Sequence, residues 1–186
     1  MQEFRILVLG VRFVLDEHPD NSDPTIEDYY RRMFVVDGEL TLLDVIDTSG
    51  CEEYQSLNET WIQSSHGFLL LFSLTQQGSL GEVDHFRKQI LDIKGDDLAV
   101  PIVIAGTKLD LTVEREVRRN IIHSLAVRWD LPFYETSAKH NWNINDVFED
   151  LVRQMRKRCL PAPKMLNYDI PADTAFRRSP HGCVIT

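Results

Sequence analysis

Short apolar segments and longer amphipathic segments alternate along the chain, and each kind has its own hydrophobic period. Six segments are candidate strands, and the first of them has the apolar content of a buried strand. They are Phe4–Leu9, Tyr30–Val36, Glu39–Ile46, Phe68–Ser73, Val100–Ala105 and Pro132–Tyr134. Asp37-Gly38 separates the second segment from the third, and this dipeptide between two β-rich segments is typical of a tight antiparallel hairpin.

Three further stretches carry apolar residues at steps of three and four, which predicts amphipathic helices. Their stripes are Val83, Phe86, Ile90 and Ile93; Val117, Ile121, Ile122, Leu125 and Trp129; and Val147, Phe148, Leu151, Val152 and Met155. Apolar strands separated by helices favour an α/β fold, in which helices cover both faces of a mostly parallel sheet. Ligands of such sheets bind at loops beyond the carboxyl ends of the strands. Those loops are therefore where we expect the binding residues.

Composition and charge narrow the class of protein. Of 186 residues, 43% are hydrophobic and 26% are charged, which is typical of a globular protein. The net charge of −9 argues against nucleic acid as the main partner, because phosphate binding needs clustered positive charge. Three widely spaced cysteines form no CxxC pair, so we expect a reducing, intracellular setting. We expect neither a signal peptide nor a membrane-spanning segment, because the longest apolar segment covers only residues 67–72.

The last part of the chain differs in composition from the rest. Residues 156–186 contain six basic and two acidic side chains, whereas residues 1–155 contain 14 basic and 27 acidic ones. Prolines at positions 161, 163, 171 and 180 punctuate this part, which shows no amphipathic period. We therefore predict one domain over residues 1–159 and a flexible tail over residues 160–186.

Four loops that follow predicted strands carry polar motifs. They read Asp23-Pro24-Thr25-Ile26-Glu27-Asp28, Asp47-Thr48-Ser49-Gly50, Gly106-Thr107-Lys108-Leu109-Asp110 and Glu135-Thr136-Ser137-Ala138-Lys139. Each motif alone is weak, but all four in this order resemble the Ras family of small GTP-binding proteins. The resemblance covers Phe4 to about Arg158. It implies a P-loop NTPase-like, three-layer α/β fold with a mostly parallel six-stranded sheet and one antiparallel hairpin.

The resemblance assigns guanine recognition to the third and fourth motifs. Asp110 would accept hydrogen bonds from guanine N1–H and from the exocyclic amine, a pairing that adenine does not offer. Lys108 would lay its methylene stem over the base. In the fourth motif, the backbone N–H of Ala138, between Ser137 and Lys139, would meet guanine O6.

The first and second motifs would serve Mg²⁺, phosphate and partner proteins. In the family, the positions of Thr25 and Asp47 serve the metal ion, and the N–H of Gly50 meets the γ-phosphate. Cys51 stands where the family usually carries the Gln that orients the attacking water, so we expect hydrolysis to be weak or absent. The segment Asp23 to Asp28 would form the surface that contacts effectors.

Two further departures from the family concern nucleotide binding. Thr107 replaces an Asn, which weakens the expected bonding between the base-recognition loops. The family's phosphate-binding loop reads G-x-x-x-x-G-K-[ST], but Gly10 is followed by residues VRFVLDE, and the chain has no Gly-Lys pair. Without that lysine the β- and γ-phosphates lack a neutralising charge. We therefore expect GTP, GDP and Mg²⁺ to bind weakly or not at all. Because only twelve residues separate Gly10 from Asp23, we also expect a truncated first helix.

The last four residues, Cys183-Val184-Ile185-Thr186, look like a C-a-a-X prenylation signal. A prenyl group on Cys183 implies attachment to the cytoplasmic face of a membrane, and we expect the plasma membrane. The family resemblance also implies effector proteins, an exchange factor and a GTPase-activating protein as partners, and we expect the protein to be a monomer.

The sequence leaves three interpretations open. The first is a membrane-tethered Ras-type GTPase switch. The second is a nucleotide-independent pseudo-GTPase that contacts basic partners through the acidic segment Asp23–Tyr29. The third is an abbreviated product of a longer gene, or a splice product. The later loops favour the first function, whereas the missing Gly-Lys pair favours the other two.

Overall fold

A computed structural model of the protein describes residues 2–10, 27–48, 55–95 and 100–159. The elements in chain order are β1 (Gln2–Gly10), β2 (Glu27–Val36), β3 (Glu39–Thr48), α1 (Gln55–Ser64), β4 (Gly67–Ser73), α2 (Ser79–Lys94), β5 (Ile102–Thr107), α3 (Arg119–Trp129), β6 (Phe133–Glu135) and α4 (Ile144–Cys159). A short 3-10 turn, Thr112–Glu114, lies between β5 and α3.

The described strands form one six-stranded sheet in the order β2-β3-β1-β4-β5-β6. Neighbouring strands are parallel except β2 and β3, which run antiparallel on either side of Asp37-Gly38. Asp37 and Gly38 have φ values of 53° and 78°, as a two-residue hairpin turn requires. The predicted fold class, a mostly parallel sheet with one hairpin, is confirmed.

The helices agree with the predicted stripes in three cases out of the four described. α1 is the exception, because its sequence shows little helical periodicity and Ile62 is its one buried residue among the described side chains. Val117 belongs to the predicted stripe of α3 but precedes that helix, and it is fully buried there. Within the described ranges, each helix is too short or too polar to span a lipid bilayer.

Side chains alternate between the two faces of the sheet, and each face has its own core layer. On one face, Phe148, Leu151 and Met155 of α4 join strand residues such as Ile6 and Leu69. On the other face, α1, α2 and α3 contribute the buried residues Ile62, Val83, Ile90 and Ile122. The sheet is therefore a middle layer between α4 and the other three described helices.

Gly10 ends β1 in a conformation that favours glycine, with a φ of 116°. A Cβ atom there would lie 2.0 Å from the carbonyl oxygen of Leu71 on β4, so the close approach of these two strands also requires glycine. The sequence predicts a truncated first helix within residues 11–22 and a flexible tail over residues 160–186. Both segments lie outside the described residues.

Candidate functional site

The third and fourth motifs lie side by side because β5 and β6 are parallel neighbours. The N–H of Leu109 donates to the carbonyl of Thr136 at 2.9 Å. The N–H of Thr136 in turn donates to the carbonyl of Gly106 at 2.7 Å. The main chain thus joins the two loops at the carboxyl edge of the sheet, where a ligand is expected.

Asp110 and Ser137 connect the same loops through their side chains. The hydroxyl of Ser137 donates to Oδ1 of Asp110 at 2.6 Å; Ser137 is fully buried and Asp110 is half-buried. This hydrogen bond lowers the pKa of Asp110 below its usual value, and the nearby basic side chains of His140 and Lys139 act in the same direction. Asp110 is therefore a carboxylate at neutral pH, with one oxygen oriented by Ser137.

Lys108, Ala138 and Lys139 lie in the loops beside this carboxylate, and all three are exposed. Lys108 has a left-handed φ of 64°, and its carbonyl accepts a hydrogen bond from Leu111 N–H at 3.1 Å. This tight turn follows β5 directly. The structure therefore brings the predicted base-recognition residues to one exposed edge of the sheet.

Thr107 is engaged with the sheet. Its hydroxyl donates to the carbonyl of Phe72 on β4 at 3.0 Å. Bonding between the loops comes from the main chain, from the Thr136 hydroxyl, which donates to the Gly106 carbonyl at 3.3 Å, and from the Ser137–Asp110 pair. Direct contact between Thr107 and a nucleotide stays a prediction.

An ion pair with Arg115 holds Glu135, the first residue of the fourth motif. Arg115 Nη1 donates to Oε2 of Glu135 at 3.0 Å, and Nη2 contacts Oε1. The two side chains are only 19% and 16% exposed, and Arg119 approaches Glu135 at 3.4 Å. The Arg115 hydrogen bond is the main reason that the pKa of Glu135 lies below its usual value. Sequence reasoning missed this support, because no motif links Arg115 to a carboxylate 20 residues away.

The loop after Ser137 closes on itself. Trp142 N–H donates to the Ser137 carbonyl at 2.9 Å, and Ser137 N–H donates to the Trp142 carbonyl at 3.2 Å. The His140 ring stacks on Trp142 with centroids 4.8 Å apart, and 47% of Trp142 is exposed. The sequence motifs did not indicate this pair. It places an exposed indole beside the base loops.

Asp47 lies near the carboxyl end of β3, opposite Val8 of β1 and Asp28 of β2. It is mostly buried, with 9% exposed. β1 and β4 separate β3 from β5, so Asp47 lies along the same sheet edge about 14 Å from the base loops, at ~4.8 Å per strand. Within the described ranges, no group of three or more His, Cys, Asp or Glu side chains forms a metal site. The pairing of Asp47 with Mg²⁺ stays a prediction.

Several other predicted site residues lie outside the described residues. They are Asp23, Pro24, Thr25, Ile26, Gly50, Cys51 and Cys183. Glu27 and Asp28 begin β2, whose backbone pairs with Thr48 and Asp47 of β3. Because β2 is outermost in the sheet, this end of the predicted effector segment lies on an edge strand.

Comparison with known protein families gives a match to the family model described as the Ras family, over residues 7–157. The match begins within β1 and ends within α4. It includes Asp47 and both base loops, and it covers most of the chain.

Proposed function

Since the chain belongs to the Ras family, whose members are small GTPases, we propose that it is a membrane-tethered Ras-type signalling switch with an intact guanine site and weak phosphate binding. GTP and GDP, together with Mg²⁺, would be its ligands. The observation that carries the proposal is the Asp110 carboxylate, oriented by Ser137 at 2.6 Å on the exposed edge of the sheet.

The chemistry of this carboxylate suits guanine. Guanine presents two adjacent donors, N1–H and the exocyclic amine, and an ionised carboxylate accepts both through charge-assisted bonds. Adenine presents a lone pair at N1, which the carboxylate would repel. The Arg115–Glu135 pair and the Ser137–Trp142 bridge fix the loops in advance, so little ordering is left for the binding step.

The phosphate side of the proposed site is weak for reasons of charge. Asp47 and Thr25 would hold Mg²⁺, which supplies positive charge to the phosphates when bound. Gly10 is followed by VRFVLDE, without the lysine, second glycine and hydroxyl that cradle phosphates in the family. Cys51 offers a thiol in place of an amide, so it orients water poorly. Weak binding of triphosphate and weak hydrolysis follow.

A change of base specificity tests the assignment of Asp110. The variant Asp110→Asn presents one acceptor and one donor in place of two acceptors. Xanthine keeps N1–H but carries a carbonyl where guanine has its amine, so it matches the variant. We expect the natural chain to prefer guanosine diphosphate and Asp110→Asn to prefer xanthosine diphosphate, in titrations followed by ligand-observed NMR.

A gain of xanthine binding distinguishes a specificity change from simple unfolding. The matched control is Asp92→Asn on the exposed surface of α2, which should leave the preference for guanine unchanged. If the natural chain binds guanine and adenine nucleotides equally, or if Asp110→Asn gains no affinity for xanthine, the proposed base site is wrong.

A nucleotide-independent interaction protein is the second candidate function, and the missing Gly-Lys pair favours it. In that case the acidic segment Asp23–Tyr29 would bind an effector domain by itself. Affinity for a Ras-binding effector domain that is equal with GDP, with GTP and in Asp110→Ala would favour this candidate. Affinity that rises with GTP and falls in Asp110→Ala would favour the switch.

Membrane attachment and regulation complete the proposal. The thiol of Cys183 would carry a prenyl group, and basic residues such as Arg177 and Arg178 would add a weak attraction to an anionic surface. Effectors, an exchange factor and a GTPase-activating protein are the proposed partners. The proposed location is the cytoplasmic face of the plasma membrane.

A further inference from the structure

A cavity of about 350 Å³ lies at the sheet edge opposite the base site, where β5 and β6 begin and α4 ends. Its lining residues are Val100, Asp130, Leu131, Pro132, Gln154, Lys157 and Arg158. None of them belongs to the site described above. The volume is in the range of pockets that hold ligands or side chains.

The lining joins an apolar wall to a charged rim. Val100, Leu131 and Pro132 provide the apolar surface. The rim carries two cationic side chains, Lys157 and Arg158, and one carboxylate, Asp130, so its net charge is positive. A complementary occupant would combine large apolar side chains with a single carboxylate.

The chain itself supplies such a segment shortly after the cavity. α4 ends at Cys159, the residue that follows Arg158, and residues 160–186 come next in the sequence. The acidic residues of that stretch are Asp169 and Asp173. Asp169 lies between Tyr168 and Ile170, whereas Asp173 lies between two small residues. Among residues 160–186, the combination of a carboxylate with two large apolar neighbours therefore occurs at residues 168–170.

We infer that the cavity is a docking site for the chain's own segment Tyr168-Asp169-Ile170. The carboxylate of Asp169 lies against the ammonium group of Lys157, and the two apolar side chains lie against the wall around Leu131. The segment begins nine residues after Cys159, and nine residues span at most about 30 Å, which is ample for this return. A short tether gives an effective concentration in the millimolar range, so even a contact with a millimolar dissociation constant is substantially occupied.

Docking would set the distance between the folded domain and a lipid anchor, a consequence that rests on the proposed prenylation of Cys183. Free of the cavity, the 24 residues after Cys159 reach at most about 80 Å to Cys183. With Ile170 docked, the remaining 13 residues reach about 40 Å. The cavity would therefore hold the domain nearer to the membrane. The docking itself needs neither the lipid nor a nucleotide.

Zero-length cross-linking of the full chain with a water-soluble carbodiimide tests the docking, because this reagent joins an amine to a carboxylate only when the two are in contact. We expect a Lys157–Asp169 cross-link at least tenfold more abundant than Lys157–Asp173, and Asp173, which lies outside the docked segment but in the same tail, is the matched control. Asp169→Asn should abolish the cross-link. The double variant Lys157→Glu with Asp169→Lys should restore a cross-link between the same two positions.

The remaining outcomes overturn the inference. Equal cross-linking of Asp169 and Asp173 would show random encounters of a flexible tail. A mixture of isotopically heavy and light chains separates the two possible sources of a cross-link. Heavy–light products at the statistical share would mean that a second copy, and not the same chain, fills the cavity. Absence of any Lys157–Asp169 product, or failure of the charge-swapped double variant to recover one, would exclude docking of this segment.

Discussion

Removal of the Arg115 side chain should destabilise the domain far more than removal of Arg119, although both arginines approach the same carboxylate. In Arg115→Met, Glu135 loses its bidentate ion-pair partner, while its own side chain stays only 16% exposed. The variant also removes the hydrogen bond from Arg115 Nε to the carbonyl of Val117 at 2.8 Å. In Arg119→Met the lost side chain is 77% exposed and lies 3.4 Å from Glu135.

The magnitudes follow from burial. A hydrogen bond to a charged group contributes about 1.5–3 kcal/mol, and a largely buried partner left unpaired adds to the loss. We expect Arg115→Met to lower the free energy of unfolding by about 2–3 kcal/mol, which corresponds to roughly 5–10 °C in Tm for a chain of this size. An exposed pair contributes about 0–1 kcal/mol, so Arg119→Met should change Tm little.

The stabilisation by the Arg115–Glu135 pair should also depend on pH. Because the pKa of Glu135 is lowered in the folded state, its pairing stabilises the fold fully above the unfolded value, 4.5. That contribution disappears as the pH falls through the lower pKa of the folded state. Urea unfolding followed by circular dichroism, at neutral and acid pH, measures both effects. Equal losses in the two variants, or an unchanged acid dependence in Arg115→Met, would refute the reasoning.

Four other variants give separate tests. Leu69→Ala, at a side chain with 0% exposure, should cost about 2–5 kcal/mol of unfolding free energy in urea titrations. Gly10→Ala should also destabilise the fold, by about 2 kcal/mol or more, because its Cβ would lie 2.0 Å from the Leu71 carbonyl oxygen. Burial, helped by Lys94 and Arg5, lowers the pKa of His66, whose Nδ1 accepts a hydrogen bond from Arg5 N–H at 2.9 Å. His66 therefore makes its full contribution to the free energy of unfolding above pH 6.5, and this contribution falls as the pH drops through the lower pKa of the folded state. The variant His66→Gln should flatten that part of the curve of stability against pH. Cys183→Ser should move the protein from the membrane fraction to the supernatant of lysed cells, and equal partitioning of both forms would contradict the proposed prenylation.

The sequence predicted the sheet well because its signals are local. Apolar segments such as Phe68–Ser73 and the Asp37-Gly38 turn carry strand and hairpin information in a few residues. α1 lacks such a signal, because polar residues dominate Gln55–Ser64. This helix instead packs through the buried Ile62 and through the contact of Trp61 with Tyr29. The stability of α1 therefore comes from tertiary packing and not from a periodic pattern in its sequence.

The candidate site shows the same division. Asp110 and Ser137 were assigned to one site from motifs, and their juxtaposition follows from the parallel pairing of β5 with β6. The Thr107 bond to Phe72 and the Arg115–Glu135 ion pair were not foreseeable, because they depend on side-chain directions across strands and loops. Such contacts are set by the whole fold, so a motif does not encode them.

The affinities of guanosine, GDP, GTP and adenosine for the full chain, measured under one set of conditions with Mg²⁺, test the central claim most directly. If the base loops around Asp110 are intact and the phosphate side is weak, guanosine should bind and adenosine should not. GDP and GTP should then bind within about tenfold of guanosine, a difference of about 1.4 kcal/mol. Submicromolar affinity for GTP would contradict the weak phosphate side, and equal binding of guanosine and adenosine would contradict the base site.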